Sequence, residues 1–353
     1  MNLSHPQHIL LVRTDRIGDV VLTLPMIRVL RANFPSARIA MLLRSYTKEL
    51  AEGHPGLDEI LLYDEQGTLK PFRALWLELR RSRFDLVILA SPTFRLALLM
   101  LLAGIPVRVG TGYRWYSLLF NRRVYEHRKT AERHELEYNF SLLKRIGISV
   151  DRYEKPQLVL AAHHVQAAEH IRQELGLDAG ARVVVLHPGS GGSARDWSPL
   201  RFAQLGRELA QKGYRVVVTG GPGEDELVEQ VVKHAGIGVL PLVNRLSVKE
   251  LAAFLRMVDL FVSNSTGPLH IAAAVGTPVI GFYPPIRACS PQRWGPYTDL
   301  KTVFVPDPKA CPRCHGKPCQ GNDCMDLISV QEVVQCVERM LHTGRSQPVE
   351  VRS

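Results

Sequence analysis

The amino-acid sequence predicts an α/β protein with two parallel, doubly wound sheets that follow one another along the chain. Short apolar runs alternate with helical stretches, as they do when each strand of a parallel sheet is followed by a crossover helix. The runs form two sets, and the segment 147–163 between them mixes Gly, Pro and charge, which predicts a linker near residues 150–165. The length of 353 residues also fits two domains, since one domain usually has roughly 100–200 residues.

The first set of strands opens with a buried run, a polar turn and an apolar-periodic helix predicted over 20–33. The second set includes helices predicted over 199–212 and 330–341. We therefore predict a first domain over 1–160, a second over 161–330, and a C-terminal helix and tail over 331–353 that packs back on the first domain. The predicted strands are 8–12, 38–43, 60–63, 86–90 and 107–110 in the first set, and 183–187, 215–219, 239–242, 260–263 and 278–282 in the second.

Charge is uneven along the chain, whose net charge is +10. Residues 1–160 hold 24 Lys+Arg against 16 Asp+Glu, whereas the remainder holds 20 against 18. Clustered cations attract phosphorylated lipids, acidic membrane surfaces or nucleic acid, although solubility alone also explains them. No RNP, KH or helix-turn-helix signature is present, so no nucleic-acid partner is predicted.

The N-terminal region is expected to carry no export signal, because charged residues interrupt positions 1–35. The most apolar window, 86–104, contains Pro92 and Arg95 and indicates a strand, a turn and a helix rather than a membrane span. We therefore expect a cytoplasmic protein.

The turns after the strands are the places to look for function, because ligands of open α/β sheets bind at the carboxyl ends of strands. The first turn reads RTDRIGD over 13–19. Gly18 would let the backbone approach a ligand closely. Asp19 stands at the helix start, where it either caps the helix or faces a ligand.

Three turns of the second set are rich in small and polar residues. HPGSGGSARDW over 187–197 suits a phosphate cradle, with a plain glycine turn as the alternative. In TGGPGEDE over 219–226, the acids complement the helix dipole or accept hydrogen bonds from ribose. SNSTGPLH over 263–270 brings hydroxyls and a helix start, which suit a leaving diphosphate.

Three segments together resemble the signature blocks of family 9 glycosyltransferases: RTDRIGDVVLTLP, HPGSGGSARDWSPLRFAQL and SNSTGPLHIAAAVGTPVIGFY, in family order over about residues 8–340. The best-known members are ADP-heptose:lipopolysaccharide heptosyltransferases. The resemblance implies a GT-B fold, with two Rossmann-like domains facing across a cleft. It also implies acceptor binding by the first domain, nucleotide-sugar binding by the second, and inverting transfer that requires no cofactor.

The resemblance assigns roles residue by residue. Asp19 matches the general base of the family. Ser265 departs from the pattern, because many heptosyltransferases carry there an Asp that contacts the sugar. The remaining donor-side matches are Ser190, Gly191 and Arg195 for the diphosphate, Glu224 for the ribose, Leu246 for the base, and Thr266, Gly267 and His270 for the diphosphate at a helix start.

The basic first domain gains a meaning from the same resemblance, since a phosphorylated glycolipid or polysaccharide acceptor is anionic. Aromatic and cationic residues alternate over 113–123, as they would in a peripheral contact with the inner face of the cytoplasmic membrane. A solvated loop is the alternative interpretation. The acceptor-side candidates are Arg16, Gly18, Arg114, Arg122 and Arg123.

Cysteines cluster near the C-terminus, where Cys311, Cys314, Cys319 and Cys324 are candidates for a structural zinc site. Their later spacing is not that of a zinc ribbon.

Two rival functions stay open. One is transfer of another nucleotide sugar to a surface polysaccharide or a protein, for which Ser265 is the reason. The other is a non-catalytic protein that binds nucleotide or polyanion. A sugar-nucleotide epimerase or dehydrogenase is disfavoured, because it would need a dinucleotide fingerprint and none follows the first strand.

Overall fold

The chain divides into two compact units, Met1–Val159 and Leu160–Ser353. The computed structural model describes residues 6–178, 180–192, 194–307, 324–342 and 351–352. No helix within these residues is long and apolar enough to cross a membrane. Each unit is an α/β structure with its own parallel sheet.

The first unit alternates strands and helices in chain order. Its strands are β1 (His8–Val12), β2 (Arg38–Leu43), β3 (Glu59–Leu62), β4 (Asp64–Glu65), β5 (Thr68–Leu69), β6 (Leu86–Leu89), β7 (Val107–Thr111) and β8 (Arg122–Val124). Its helices are α1 (Ile17–Val21), α2 (Pro25–Asn33), α3 (Phe72–Ser82), α4 (Phe94–Leu102) and α5 (Glu135–Leu143), with short 3-10 helices at Ser45–Leu50, Trp115–Leu119, Arg128–Thr130 and Lys144–Ile146.

The described strands of the first unit form a parallel sheet in the order β3-β2-β1-β6-β7-β8, beside a small β4-β5 hairpin. This order is the one of doubly wound nucleotide-binding folds, in which the chain winds outward from a central first strand. Strand β1 is buried from Ile9 to Val12 because helices cover both faces of the sheet.

The helix predicted over 20–33 is two helices in the structure. Proline has no N–H to donate and favours the first helical position. The chain therefore leaves α1 after Val21 and starts α2 at Pro25.

The second unit repeats the architecture. Its strands are β9 (Val183–His187), β10 (Arg215–Gly220), β11 (Val239–Val243), β12 (Leu260–Asn264), β13 (Val279–Phe282), β14 (Lys301–Phe304) and β15 (Val351–Arg352). Its helices are α6 (Ala162–Glu174), α7 (Pro199–Gln211), α8 (Asp225–Ala235), α9 (Val248–Arg256), α10 (Gly267–Ala274), α11 (Pro291–Trp294) and α12 (Val330–His342), with 3-10 helices at Arg287–Cys289 and Met325–Leu327.

The described strands of the second sheet lie in the order β11-β10-β9-β12-β13-β14-β15, and all of them are parallel. Helix α12 packs against α7, and the buried Val333 and Val337 of α12 join the core of this unit. The Lys212 ammonium also contacts the Glu338 carboxylate at 2.8 Å. The predicted tail after α12 lies mostly outside the described residues.

Candidate functional site

Each sheet reverses its strand order beside its first strand, between β1 and β6 in the first unit and between β9 and β12 in the second. Neighbouring loops diverge at such a point and leave room for a ligand at the carboxyl ends of the strands. The turn that carries Asp19 follows β1, and the turns that carry Ser190 and Thr266 follow β9 and β12. The fold therefore puts Asp19, Ser190 and Thr266 at these two reversal points.

A buried arginine organises the end of β1. Arg13 is the first residue after the strand, and its guanidinium donates through Nε to Asp15 Oδ1 at 2.7 Å. Nη1 donates to Asn139 Oδ1 at 3.0 Å, and Nη2 donates to Asp19 Oδ1. Asp19 lies in the first turn of α1, while the N-cap position is Arg16. The capping interpretation of Asp19 is therefore wrong, because its carboxylate is bound to Arg13.

Glu135 adds a third carboxylate to this cluster. Its Oε1 lies 3.6 Å from Arg13 Nη2 and accepts from Arg128 Nη1 at 2.5 Å. Two guanidinium groups thus meet three carboxylates in this cluster.

The pKa of Asp19 is raised to about 6, chiefly because burial disfavours its charged form. The Arg13 guanidinium lowers this pKa, whereas Asp15 and Glu135 raise it. A carboxylate that titrates there exists largely as a base at neutral pH and still has appreciable affinity for a proton. Such a group is suited to general base catalysis.

The acceptor-side candidates are divided between two places. Arg16 and Gly18 flank Asp19 at the start of α1. Arg114 precedes the 3-10 helix Trp115–Leu119, and Arg122 and Arg123 lie on β8, which β6 and β7 separate from β1. The structure thus does not bring these three exposed arginines into the Asp19 cluster, and their role stays a prediction.

The donor-side candidates follow four neighbouring strands of the second sheet. Leu246 follows β11, and Glu224 follows β10. Ser190, Gly191 and Arg195 follow β9, while 265–270 follow β12. Since β11, β10, β9 and β12 lie side by side in that order, these residues share one edge of the sheet.

The loop over 188–197 is held at both ends by Asn264, the last residue of β12. Asn264 Nδ2 donates to Pro188 O at 2.7 Å, and Asn264 Oδ1 accepts from Trp197 N at 2.8 Å. The fully buried Trp197 ring stacks on Phe282 with 4.4 Å between centroids. The loop is therefore pinned to the sheet at its base, with Gly191 and Gly192 exposed between the fixed ends.

Glu224 occupies a space that only glycine at position 189 leaves open. A Cβ on Gly189 would lie 2.0 Å from Glu224 Oε1. The Glu224 carboxylate accepts from Gly221 N at 2.7 Å and lies 3.8 Å from His187 Nε2. Burial lowers the pKa of His187, so its ring favours the neutral form and does not offset the carboxylate charge.

Asp196 is a further carboxylate at this edge. Its Oδ2 accepts from Ser190 Oγ at 2.8 Å. Its Oδ1 is buried and has no hydrogen-bond partner among the residues that the structure describes. Burial raises the pKa of Asp196 to about 6. A ligand hydroxyl could satisfy this oxygen.

The last donor-side segment forms the N-terminus of α10. Thr266 is the N-cap residue, Gly267 is the first helical residue, and His270 is buried one turn later. The first N–H groups of a helix lack intrahelical acceptors and favour anions. Ser265 is half-buried just before them, and its N–H donates to Phe282 O at 3.1 Å.

Of the candidate zinc ligands, Cys311, Cys314 and Cys319 lie outside the described residues. Cys324 is buried, and Arg195 Nη1 lies 3.8 Å from its Sγ. No group of three or more His, Cys, Asp or Glu residues that could hold a metal ion occurs within the described ranges.

Sequence reasoning gave no role to five residues that organise these two edges. Each is a polar residue at the end of an apolar strand, beside a glycine-rich turn or in a largely apolar helix, and such positions are the available signal. They are Arg13, Glu135, Asn139, Asp196 and Asn264.

Comparison with known proteins gives consistent matches. The profile of glycosyltransferase family 9 (heptosyltransferase) matches residues 72–324. A Haemophilus influenzae protein with a provisional glycosyltransferase name is 32% identical over 93% of this chain and 95% of its own length. Lipopolysaccharide heptosyltransferase 3 of Escherichia coli K12 is 27% identical over 92% of this chain and 95% of its own length. The solved structure of E. coli ADP-heptose LPS heptosyltransferase II superposes with a TM-score of 0.77 at 21% identity, covering 96% of this chain and all of that one.

Proposed function

This chain belongs to glycosyltransferase family 9, and on that basis we propose that it transfers a heptose from ADP-heptose to a lipopolysaccharide core-type acceptor, with inversion. The heptosyltransferase names of its relatives support the choice of sugar and acceptor.

The order of the candidate residues along the second sheet carries the donor half of the proposal. Leu246, Glu224, the β9 loop and the α10 start follow β11, β10, β9 and β12. Neighbouring strands are about 4.8 Å apart, so the four strand ends span roughly 14 Å. In a nucleotide-diphosphate sugar laid along this edge, the base would meet Leu246, the ribose would meet the Glu224 carboxylate, and the diphosphate would meet the N-terminus of α10. The chemistry of the edge thus follows the order of groups in a nucleotide-diphosphate sugar.

Asp19 supplies the base in the proposed reaction. Its carboxylate takes the proton from an acceptor hydroxyl while that oxygen forms a bond to the anomeric carbon of the sugar. The bond from the anomeric carbon to the diphosphate oxygen breaks, and the nucleotide leaves with the electron pair. Arg13 positions the Asp19 carboxylate through the hydrogen bond to Oδ1.

Charge on the leaving diphosphate is met by Arg195 and by the N–H groups of α10. These groups support transfer without a metal cofactor, because they supply the positive potential that a divalent ion would otherwise provide. Full activity in the presence of EDTA is the expected result.

The surplus of positive charge in residues 1–160 supports a phosphorylated acceptor. Because such a glycolipid is held in a bilayer, we place the protein in the cytoplasm, peripherally on the inner face of the membrane.

Calorimetry tests the donor directly. ADP-heptose should bind more tightly than UDP, GDP or dTDP sugars, and Arg195→Ala should weaken it more than Arg195→Lys. Preference for another nucleotide would overturn the heptose assignment and keep the transferase. Absence of binding to every donor would instead favour a non-catalytic protein.

Ser265 favours a second candidate, transfer of another sugar to a surface polysaccharide or a protein. It stands where the family pattern often has an acid that contacts the sugar, and a hydroxyl makes a weaker, uncharged hydrogen bond. The substitution Ser265→Asp separates the two candidates. Improved turnover of ADP-heptose would support transfer of another sugar by the parent protein, and impaired turnover would support transfer of heptose.

A further inference from the structure

Helix α4 has an outer face that a surface helix of a globular protein does not usually present. Leu96, Ala97, Leu99 and Met100 face the core. The opposite side carries the exposed Phe94, Leu101 and Leu102 and the half-buried Leu98. Surface helices normally place polar residues on that side. With nine residues, α4 is about 14 Å long, far too short to span a bilayer.

The 3-10 helix Trp115–Leu119 extends this apolar face. Side chains three residues apart eclipse one another in a 3-10 helix, so Trp115 and Leu118 project from the same side. They are 73% and 68% exposed. The Trp115 ring contacts the Phe94 ring with 4.7 Å between centroids, which joins the 3-10 helix to α4. We call this continuous surface the α4 patch; it consists of Phe94, Leu98, Leu101, Leu102, Trp115 and Leu118.

Exposed arginines lie beside the α4 patch. Residues 86–125 contain neither Asp nor Glu, and of their five arginines Arg114, Arg122 and Arg123 are exposed. Arg114 adjoins Trp115 in the chain, and Arg122 and Arg123 follow within a few residues. On the other side, Trp76 Nε1 donates to Leu102 O at 3.0 Å, and the Arg80 guanidinium lies over the Trp76 ring at 5.3 Å.

The geometry points to one occupant for the α4 patch, the surface of an anionic phospholipid bilayer. Exposed Trp and Leu side chains partition into the boundary between headgroups and acyl chains. Arginines around them attract anionic headgroups, and each is most effective within a Debye length of the surface. A bilayer satisfies both halves of this pattern at once, whereas an apolar protein face would leave the surrounding guanidinium groups without counter-charge.

This inference rests on the proposed function, because a membrane-held acceptor gives the contact its purpose. It adds the particular surface that meets the lipid. It also separates two roles along 113–123: Trp115 and Leu118 enter the bilayer, while the arginines beside them meet phosphate groups.

Flotation of the full chain with vesicles tests the inference. The vesicles contain either phosphatidylcholine alone or phosphatidylcholine with an equal amount of phosphatidylglycerol, and neither contains acceptor or donor. We expect binding to the anionic vesicles that weakens with added salt, and little binding to the neutral ones. Lack of binding to anionic vesicles would overturn the inference without touching the proposed transfer.

Paired variants identify the surface. Trp115→Ser with Leu118→Ser should reduce vesicle binding by roughly tenfold or more, since two large apolar side chains no longer leave water. Leu200→Ser with Ile237→Ser removes two exposed apolar side chains of the second unit and should change nothing. All four residues are exposed, so thermal unfolding of both variants should match the parent protein.

Equal vesicle binding by the two double variants would overturn the inference. A second copy of this chain is the competing occupant of the α4 patch, and sedimentation of the parent protein and the variants tests for it. Dissociation of a dimer by the Trp115 and Leu118 substitutions, with vesicle binding unchanged, would make the α4 patch an interface between two copies of this chain. ADP binding by the same variants, measured by calorimetry, should equal that of the parent protein and so reports on the transferase separately.

Discussion

The half-buried carboxylates at the carboxyl edges of the two sheets have different hydrogen-bond partners. At the end of β1, Asp19 is bound to Arg13 inside a network of ion pairs. At the ends of β9 and β10, Asp196 and Glu224 accept hydrogen bonds from Ser190 Oγ and from Gly221 N respectively, and both donors are uncharged. At the first edge, the negative charge of the carboxylates is largely offset by neighbouring guanidinium groups. At the second edge, the carboxylates can still accept hydrogen bonds from a ligand.

This difference matches two kinds of chemistry. A carboxylate fixed by a guanidinium keeps one orientation and can receive a proton repeatedly, as a base must. A carboxylate with uncharged neighbours is better suited to hold ribose or sugar hydroxyls, whose hydrogens complete its hydrogen bonds. The two copies of one fold therefore divide proton transfer and donor binding between them in the proposed function.

The largest effect is expected from Asp19→Asn. Loss of the base should lower kcat by about 10²- to 10⁴-fold, as for other general bases. ADP binding, measured by calorimetry, should not change. Asp15→Asn, which alters another acid on the same guanidinium, serves as the matched control and should cost much less. Equal losses for the two variants would contradict the assignment of the base.

Arg195→Ala should come next. A charge-assisted hydrogen bond contributes about 1.5–3 kcal/mol, so ADP affinity should fall by roughly 10- to 150-fold. Arg195→Lys should retain part of it. Arg201→Ala is the control, because Arg201 bonds Asp326 O at 2.9 Å near the surface. An unchanged Kd for Arg195→Ala would remove this residue from the donor site.

A smaller effect is expected from Glu224→Gln. The change keeps the shape of the side chain and removes its charge, so donor affinity should fall by a few-fold to about tenfold, the range of an ordinary hydrogen bond. Gly189→Ala should reproduce it, because any Cβ there collides with the Glu224 carboxylate. If only Glu224→Gln weakened binding, the charge of the carboxylate would matter and its position would not. If only Gly189→Ala weakened binding, the reverse would hold.

Substitution of Arg13 should change the rate at high pH least of all, and its main effect should be on the pH dependence of the reaction. Activity should rise with pH as Asp19, whose pKa is about 6, loses its proton. Arg13 lowers that pKa, so Arg13→Met should move the rise to higher pH, with Arg13→Lys between the two. A pH–rate profile of kcat/KM measures this. Because the pKa of Asp196 is also about 6, Asp196→Asn is the control and should leave the rise in place.

The raised pKa of Asp19 also affects the stability of the folded chain. Folding raises the pKa of Asp19 from 3.8 to about 6, so the folded chain binds the proton more tightly than the unfolded chain. The Asp19 contribution to the free energy of unfolding should therefore decrease as pH rises through this window. Asp19→Asn should remove that part of the pH dependence in denaturant titrations.

Much of the fold was predictable because strand periodicity is a local property. The strands predicted over 8–12, 38–43 and 183–187 have the same bounds in the structure. The short strands β8 and β14 were missed. The edge strand β8 has two arginines among its three residues and gives no apolar signal. The turns that carry the family motifs were likewise readable, since glycine and hydroxyl residues after a buried strand already indicate a ligand edge.

The sequence by itself determined the family, the two α/β units and the motif residues, because each of these is written in short contiguous segments. Tertiary structure alone decided which distant groups meet. Asn139 reaches Arg13 across 126 positions, and Asn264 closes a loop that begins at Pro188. The pKa of Asp19 and the exposed face of α4 follow from burial, and burial depends on how helices pack on a sheet. The order of residues in a short segment does not show how helices pack on a sheet.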